Sequence, residues 1–305
     1  MQHVAGSALH AVMRRDAAQA AAMAARMGVA AVYTQAADLL ADPAVDAVYI
    51  ATPVASHYEY TLAAAQAGKH VLVEKPMALS QAQCAAMIDG CAAAGVRLGV
   101  AYYRRFHPVV QHMRGLIAAG TLGTILSARA QYLTPRVPHA PDWRLDPAIS
   151  SGGCLADVGS HRLDLLLALL GPARAVSACM ATSAQQSVEF SASVLLHMQS
   201  GAHATCSIVW GSASYCDEFE LIGSNGHVVA SPLDLGQIAY WRGDSVELLD
   251  LPPAPPTHAG LVQDFVDAVR SGREVGVPGS VGMATSAVLE AAYTAARTSQ
   301  MVLLA

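Results

Sequence analysis

Two short stretches hold side chains that could do chemistry. The first is "VEKP" at 73–76. It puts Glu74, Lys75 and Pro76 at the C-terminal end of an apolar run, which is where open α/β sheets bind ligands. Lysine is seldom buried without a purpose, so Lys75 stands out. The plain alternative is a strand-end lysine snorkelling to solvent. The second stretch is "GGCLADVGSHRLDLLLALLG" at 152–171. Asp157, His161 and Asp164 fall at i, i+4 and i+7, so a helix would place them on one face. The plain alternative is a carboxylate near a helix N-terminus beside a structural histidine. The D-x-x-x-H spacing admits a metal, but no further ligand is apparent, so no metal site is expected.

The elements that would carry these residues are readable from pattern. Ser7–Met13 reads as a strand ending in Arg14, Arg15 and Asp16, followed by an alanine-rich helix that Gly28 stops. "AVYT" (31–34), "VDAVYIAT" (45–52), "HVLVEKP" (70–76) and "RLGVAYY" (97–103) read as further strands. Helices over 36–43, 56–68 and 80–95 separate them, the last with Ser80 as its N-cap. Near-continuous apolar strands alternating with helices imply a doubly wound parallel sheet. After about residue 120 the texture changes. Eight strand-like runs, from "GTILSARAQYL" to "SVELLDL", follow with few helices between them, and "GSNGH" (223–227) supplies a turn. The expected fold class is α/β: a Rossmann-type domain over 1–120, then an α+β domain over 121–305 with a large, mainly antiparallel sheet.

Composition excludes several functions. Of the 305 residues, 53% are hydrophobic and 13% charged, which supports a substantial core and argues against disorder. The formal net charge is −5 and no basic run occurs, so no nucleic-acid partner is expected. No apolar stretch approaches the roughly 20 residues that span a bilayer, so no membrane partner is expected. His3, His10, Arg14 and Arg15 interrupt any leader-like apolar start. Cys84, Cys91, Cys154, Cys179, Cys206 and Cys216 form no C-x-x-C pair and read as thiols in a reducing cytoplasm.

Longer stretches carry a resemblance. "LLADPAVDAVYIATPVASHYEYTLAAAQAGKHVLVEKPMALS" (39–80), "VAYYRRFHP" (100–108), "WRLDP" (143–147) and "GGCLADVGSHRLD" (152–164) are similar to the glucose–fructose oxidoreductase / inositol dehydrogenase (Gfo/Idh/MocA) family. The resemblance runs from about residue 6 to the end and weakens in the C-terminal sheet. It implies an oxidoreductase that moves a hydride between a nicotinamide cofactor and a sugar, cyclitol or related cyclic alcohol. It implies Lys75, Asp157 and His161 as the catalytic set: Lys75 against the nicotinamide and the reacting hydroxyl, Asp157 positioning substrate, His161 as general acid/base. It also implies cofactor contacts from Thr52, Pro53, His57, Glu74, Pro76, Arg104, Trp143 and Arg144, although Trp143 and Arg144 read almost as well as a loop aromatic and a surface arginine. Members that prefer NAD usually carry an acidic residue where Arg14 stands. Arginine cannot accept from ribose hydroxyls but pairs well with a 2′-phosphate, so NADP is expected and NAD is second. Solvated charges opening a helix are the other reading of Arg14. A homodimer or homotetramer through the C-terminal sheet is implied by the resemblance alone.

The front departs from the family. No G-x-G-x-x-G occurs in these 305 residues. The ribose-contacting residue lies about 20 residues after that loop, and counting back from Arg14 runs off the chain. The expectation is therefore a Rossmann sheet lacking its first, central strand. One explanation is a Met1 that is internal to a longer chain. Unsatisfied buried backbone groups cost roughly 1–3 kcal/mol each, so weaker folding and weaker cofactor binding are expected. The alternative function is a non-catalytic ligand-binding or regulatory relative without the cofactor loop.

Overall fold

In the computed structural model, residues 4–139, 142–182, 187–254 and 258–304 are described. The first part alternates β1 (Ala11–Met13), α1 (Ala17–Met27), β2 (Ala31–Tyr33), α2 (Ala36–Ala41), β3 (Ala47–Ile50), α3 (His57–Gln66), β4 (His70–Val73), α4 (Gln81–Ala93), β5 (Leu98–Val100) and α5 (Pro108–Ala118). Local chemistry sets the ends. Asp16 caps α1 by accepting from the Gln19 N–H at 2.9 Å, and Gly28 closes it at φ +66°, in the left-handed region that favours glycine. Ser80 caps α4 through the Gln83 N–H at 3.3 Å.

These parallel strands form two separate pieces, β1–β2 and β3–β4–β5. In a 3-2-1-4-5-6 order the first strand sits between those pieces. Among the described residues no strand pairs with the second edge of β1 or with the outer edge of β3. The strand expected over 7–13 pairs only over Ala11–Met13, because β2 offers just three partners. The residues before it run toward a C-terminal helix instead, with the Ala5 N–H donating to Gln263 Oε1 at 2.8 Å.

The second part continues with β6 (Ile125–Thr134), α6 (Pro147–Ser150), a π-helical turn over Leu155–Gly159, α7 (Ser160–Leu170), β7 (Ala173–Thr182), β8 (Glu189–Met198), β9 (His203–Trp210), β10 (Cys216–Gly223), β11 (Gly226–Ala230), β12 (Gln237–Arg242), β13 (Ser245–Asp250), α8 (Ala259–Ser271), α9 (Gly279–Thr298) and β14 (Val302–Leu303). Its strands make one nine-stranded sheet in the order β13-β12-β11-β10-β6-β9-β8-β7-β14. The pairing is antiparallel except between β6 and β9. Period-two alternation gives this sheet a buried face. Leu163, Leu165, Leu166 and Leu169 of α7 join Val194, Leu196, Ile208, Phe219 and Leu221 in that core. Fully burying such side chains is worth about 1.5–3 kcal/mol each, so α7 is pinned to the sheet by its leucines.

Packing crosses residue 120. Leu261, Val262 and Phe265 of α8, with Val275 and Val277, belong to the core of the first part beside Val71, Val73 and Val100. The Val100 N–H donates to the Val277 carbonyl at 2.9 Å. The two parts therefore meet over the ends of β4 and β5, where α7 also arrives.

Candidate active site

The end of β4 delivers Lys75 to the turn before α7. Its side chain is 13% exposed, and its ammonium donates to the Asp157 carbonyl and lies 3.5 Å from Asp157 Oδ1. Arg144 Nε lies 3.7 Å from the same oxygen, and its guanidinium packs over the Trp143 ring at 4.6 Å. Lys75, Pro76, Trp143, Arg144 and Asp157 line one small concavity, with Val54, Ser150 and Gly152 completing the wall.

His161 sits on the first turn of α7, 6% exposed. The Tyr102 and Tyr103 rings meet it edge-on, with centroids at 6.0 and 4.9 Å. Its Nδ1 is buried without a hydrogen-bond partner among the described residues. Burial, then the nearby cations Lys75, Arg104 and Arg162, push its pKa well below 6.5. The imidazole is thus neutral at neutral pH and able to accept a proton.

The single face expected for Asp157, His161 and Asp164 is divided. Asp157 meets Lys75, and His161 lies within electrostatic reach of it. Asp164, 1% exposed, pairs instead with Arg105, whose Nη2 is 2.7 Å from Oδ1 and whose Nε is 2.9 Å from Oδ2. Burial raises the Asp164 carboxyl to about 6 against the lowering pull of Arg105. Asp157 lies in a π turn, which holds an extra residue and shifts it out of α register with His161 and Asp164, while Asp164, one turn after His161 on α7, is taken by Arg105.

Glu74 is gripped on two sides. The Tyr49 hydroxyl donates to its Oε1, and His258 Nε2 is 3.2 Å from the same atom. Burial raises its pKa, but His258, Lys75 and Tyr49 outweigh that and bring it to about 2. His57 is fully buried, with ring nitrogens 2.9 and 3.0 Å from the carbonyl oxygens of Thr52 and Pro76. It ties the turn after β3, including Pro53, to the turn after β4. The Thr52 hydroxyl is buried without a partner among the described residues. Arg14 is exposed at the end of β1.

Arg104 faces the second part of the chain. Its Nη2 is 2.7 Å and its Nε 3.3 Å from the Asp234 carboxylate, and its Nη1 donates to the Tyr103 hydroxyl at 2.9 Å. His107 Nδ1 lies 3.3 Å from Asp234 Oδ1. Beneath α7, Arg162 and Asp217 pair at 2.6 Å, each 1% exposed. Asp234, His258 and Asp217 were not singled out from sequence, since each is far along the chain from its partner and belongs to no motif. Tyr103 did lie within the matched "VAYYRRFHP", which was its only signal.

Two family models match the chain. Residues 1–102 match the oxidoreductase family with an NAD-binding Rossmann fold, and residues 110–229 match the GFO/IDH/MocA C-terminal domain. The chain is similar to 1,5-anhydro-D-fructose reductase of Ensifer adhaerens, at 30% identity over 97% of this chain and 90% of that protein. It is similar to D-xylose 1-dehydrogenase (NADP(+)) 2 of Haloferax volcanii, at 29% identity over 96% of this chain and 90% of that protein. Its structure resembles the aldose-aldose oxidoreductase of Caulobacter crescentus complexed with glycerol, with a TM-score of 0.91 and 29% identity, over 99% of this chain and 93% of that one. Among the described residues no helix is long and apolar enough to cross a membrane.

Proposed function

The chain belongs to the GFO/IDH/MocA family of oxidoreductases, and from that membership and the geometry of its site we propose that it oxidises or reduces an alcohol carbon of a sugar, cyclitol or related ring, with NADP as cofactor and NAD second. The observation that carries this reading is the Lys75 ammonium on Asp157, beside a buried His161.

The residues fit such a cofactor at both of its ends. Thr52 offers a buried hydroxyl without a partner among the described residues, and Glu74–Pro76 stand at the end of β4. Arg14 and Arg15 offer exposed guanidinium groups at the end of β1, while Asp16 is committed to capping α1. That set suits a ribose phosphate better than free ribose hydroxyls. Pro53 and His57 shape the turn, and Trp143 and Arg144 cover the Lys75 side. Arg104, held by Asp234, completes the proposed cofactor contacts.

When bound, the nicotinamide supplies the hydride chemistry. The chain's own residues do the rest. His161, neutral and dehydrated, takes the alcohol proton in oxidation and returns it in reduction. Lys75 stabilises the negative charge that develops on the substrate oxygen, where low local dielectric strengthens the effect. Asp157 fixes Lys75 and accepts from a substrate hydroxyl. Arg144 and Trp143 narrow access for water.

We further propose a division near residue 120 with α8 returning to the first domain, a cytoplasmic location, and a homodimer or homotetramer through the outer face of the nine-stranded sheet. On that face the Trp241 ring stacks on His227 at 5.6 Å and Leu126 is 50% exposed. The functional reading is tested by a screen of sugars, polyols and dihydrodiols with NADP and NAD, read by nicotinamide absorbance. Turnover that Lys75→Ala abolishes supports it. Sugar binding without turnover would favour a non-catalytic relative.

A further inference from the structure

Glu189, the first residue of β8, is a carboxylate only 3% exposed. Its Oε2 accepts from the Gly153 N–H at 2.9 Å. Its Oε1 accepts from the Leu155 N–H at 2.9 Å and from the Tyr293 hydroxyl at 2.9 Å. Among the described residues no lysine or arginine forms an ion pair with it. A buried carboxylate is costly unless hydrogen bonds replace its water, and these three do so.

The two amides it holds open the helical segment that carries Asp157 and His161. Amides at the start of a helix have no partner within it, so something else must bind them. Leu155 begins the π turn. The Gly153 carbonyl in turn accepts from the Asp157 N–H at 2.9 Å. Gly153 must be glycine for this approach, because a Cβ there would lie 2.1 Å from the Glu189 carbonyl oxygen. One carboxylate from the C-terminal sheet thus locks Gly153 and Leu155, the residues four and two before Asp157.

We propose that Glu189 is the positioning residue of the catalytic segment: its clamp on Gly153 and Leu155 sets where Asp157 meets Lys75 and where His161 stands. The kinetic side of this proposal rests on the oxidoreductase reading above; the structural side does not. Tyr293, from α9, donates to the carboxylate, and its hydroxyl also meets the Ala156 backbone, but it bonds neither the Gly153 nor the Leu155 amide.

The first measurement uses the unaltered protein. In hydrogen exchange, the Gly153 and Leu155 amides should be among the slow ones of residues 150–160. Exchange as fast as an exposed loop would overturn the clamp. The second measurement follows the His161 imidazole by NMR, without cofactor, in Glu189→Gln. Glutamine offers one acceptor oxygen and turns an NH2 group toward the other amide. A loosened segment admits water to His161, so its titration should move up toward the ordinary histidine value. Loss of a negative charge alone would move it down, and a downward or absent shift would overturn the proposal. In turnover assays Glu189→Gln should lower kcat at least about tenfold with KM within about threefold. Tyr293→Phe, which keeps both amide bonds, should hold kcat within about threefold of the parent. A Glu189→Gln protein that only melts earlier, with parental kcat, would show a merely structural role and overturn the proposal. If the parent protein has no turnover at all, the oxidoreductase reading fails, and exchange and titration still decide the clamp.

Discussion

Lys75 Nζ lies 3.5 Å from Asp157 Oδ1 and also donates to the Asp157 carbonyl, across 82 positions of chain. This contact joins the end of β4 to the segment that leads into α7. A lysine so placed is held by one backbone oxygen and one carboxylate oxygen, at the wall of the concavity. Arg144 approaches the same carboxylate from the other side at 3.7 Å. Asp157 therefore serves two cations, each with a second anchor: Lys75 on the backbone carbonyl at position 157 and Arg144 on Asp142 at 3.2 Å.

Lys75→Ala and His161→Ala should each lower kcat by roughly 10²–10⁴-fold, the usual scale of a general acid–base or charge-stabilising group. Cofactor dissociation constants, measured by titration calorimetry, should change little. Near-parental turnover in both variants would remove these residues from the mechanism.

Cofactor preference should follow Arg14. A hydrogen bond to a charged phosphate contributes about 1.5–3 kcal/mol, so NADP should bind roughly 10–100-fold more tightly than NAD. Arg14→Asp should reverse or erase that ratio, as read from kcat/KM with each cofactor. Equal affinities in the parent would contradict the assignment.

Oxidation rate should depend on pH through His161. Burial and neighbouring cations lower its pKa well below 6.5, so the neutral, proton-accepting form persists to lower pH than for an exposed histidine. The acid limb of the kcat/KM profile, which reports the free enzyme, should therefore lie below 6.5, with no loss from that limb as pH rises through neutrality. Replacing a neighbouring cation, as in Arg162→Met, should raise the limb. A limb at or above the ordinary histidine value in the parent would count against it.

Stability should fall in acid through Glu74. Its pKa drops from 4.5 when unfolded to about 2 when folded, so the folded state favours the ionised form. The resulting stabilisation is fully present above 4.5 and is lost as pH falls from 4.5 toward 2. Asp234, half-buried but held down by His107 and Arg104, acts in the same direction. Melting temperatures across that range should decline steeply for the parent and less steeply for Glu74→Gln. Parallel slopes would show that Glu74 is not the source.

Much of this could be read before any coordinates. Each of the eight strand-like runs after residue 120 became a strand, because each is a short run rich in apolar and β-branched residues with few helix signals around it. Lys75 and His161 were marked by type and by place: a lysine at a buried strand end, a histidine opening an apolar helix. What could not be read had a physical cause. Asp164 is taken by Arg105, 59 positions earlier in the chain, and a π turn, which has no sequence period, shifts Asp157 out of register with it. Asp234 reaches Arg104 from a connection 130 positions away, and nothing local marks such a pair. Glu189 looked like an ordinary strand residue, since its work is done through the backbone amides of Gly153 and Leu155. The return of α8 to the first core was also hidden, because an amphipathic helix shows that it packs but not against what.

The most direct test of the site as a hydride-transfer centre is isotopic. A sugar or cyclitol substrate found in the screen, deuterated at the alcohol carbon, is oxidised with NADP, and the reduced cofactor is examined by mass spectrometry and NMR. Transfer of the label to the nicotinamide ring by the parent, and its loss in His161→Ala and Lys75→Ala, is the predicted result. Label appearing in water, or equal transfer by all three proteins, would contradict it.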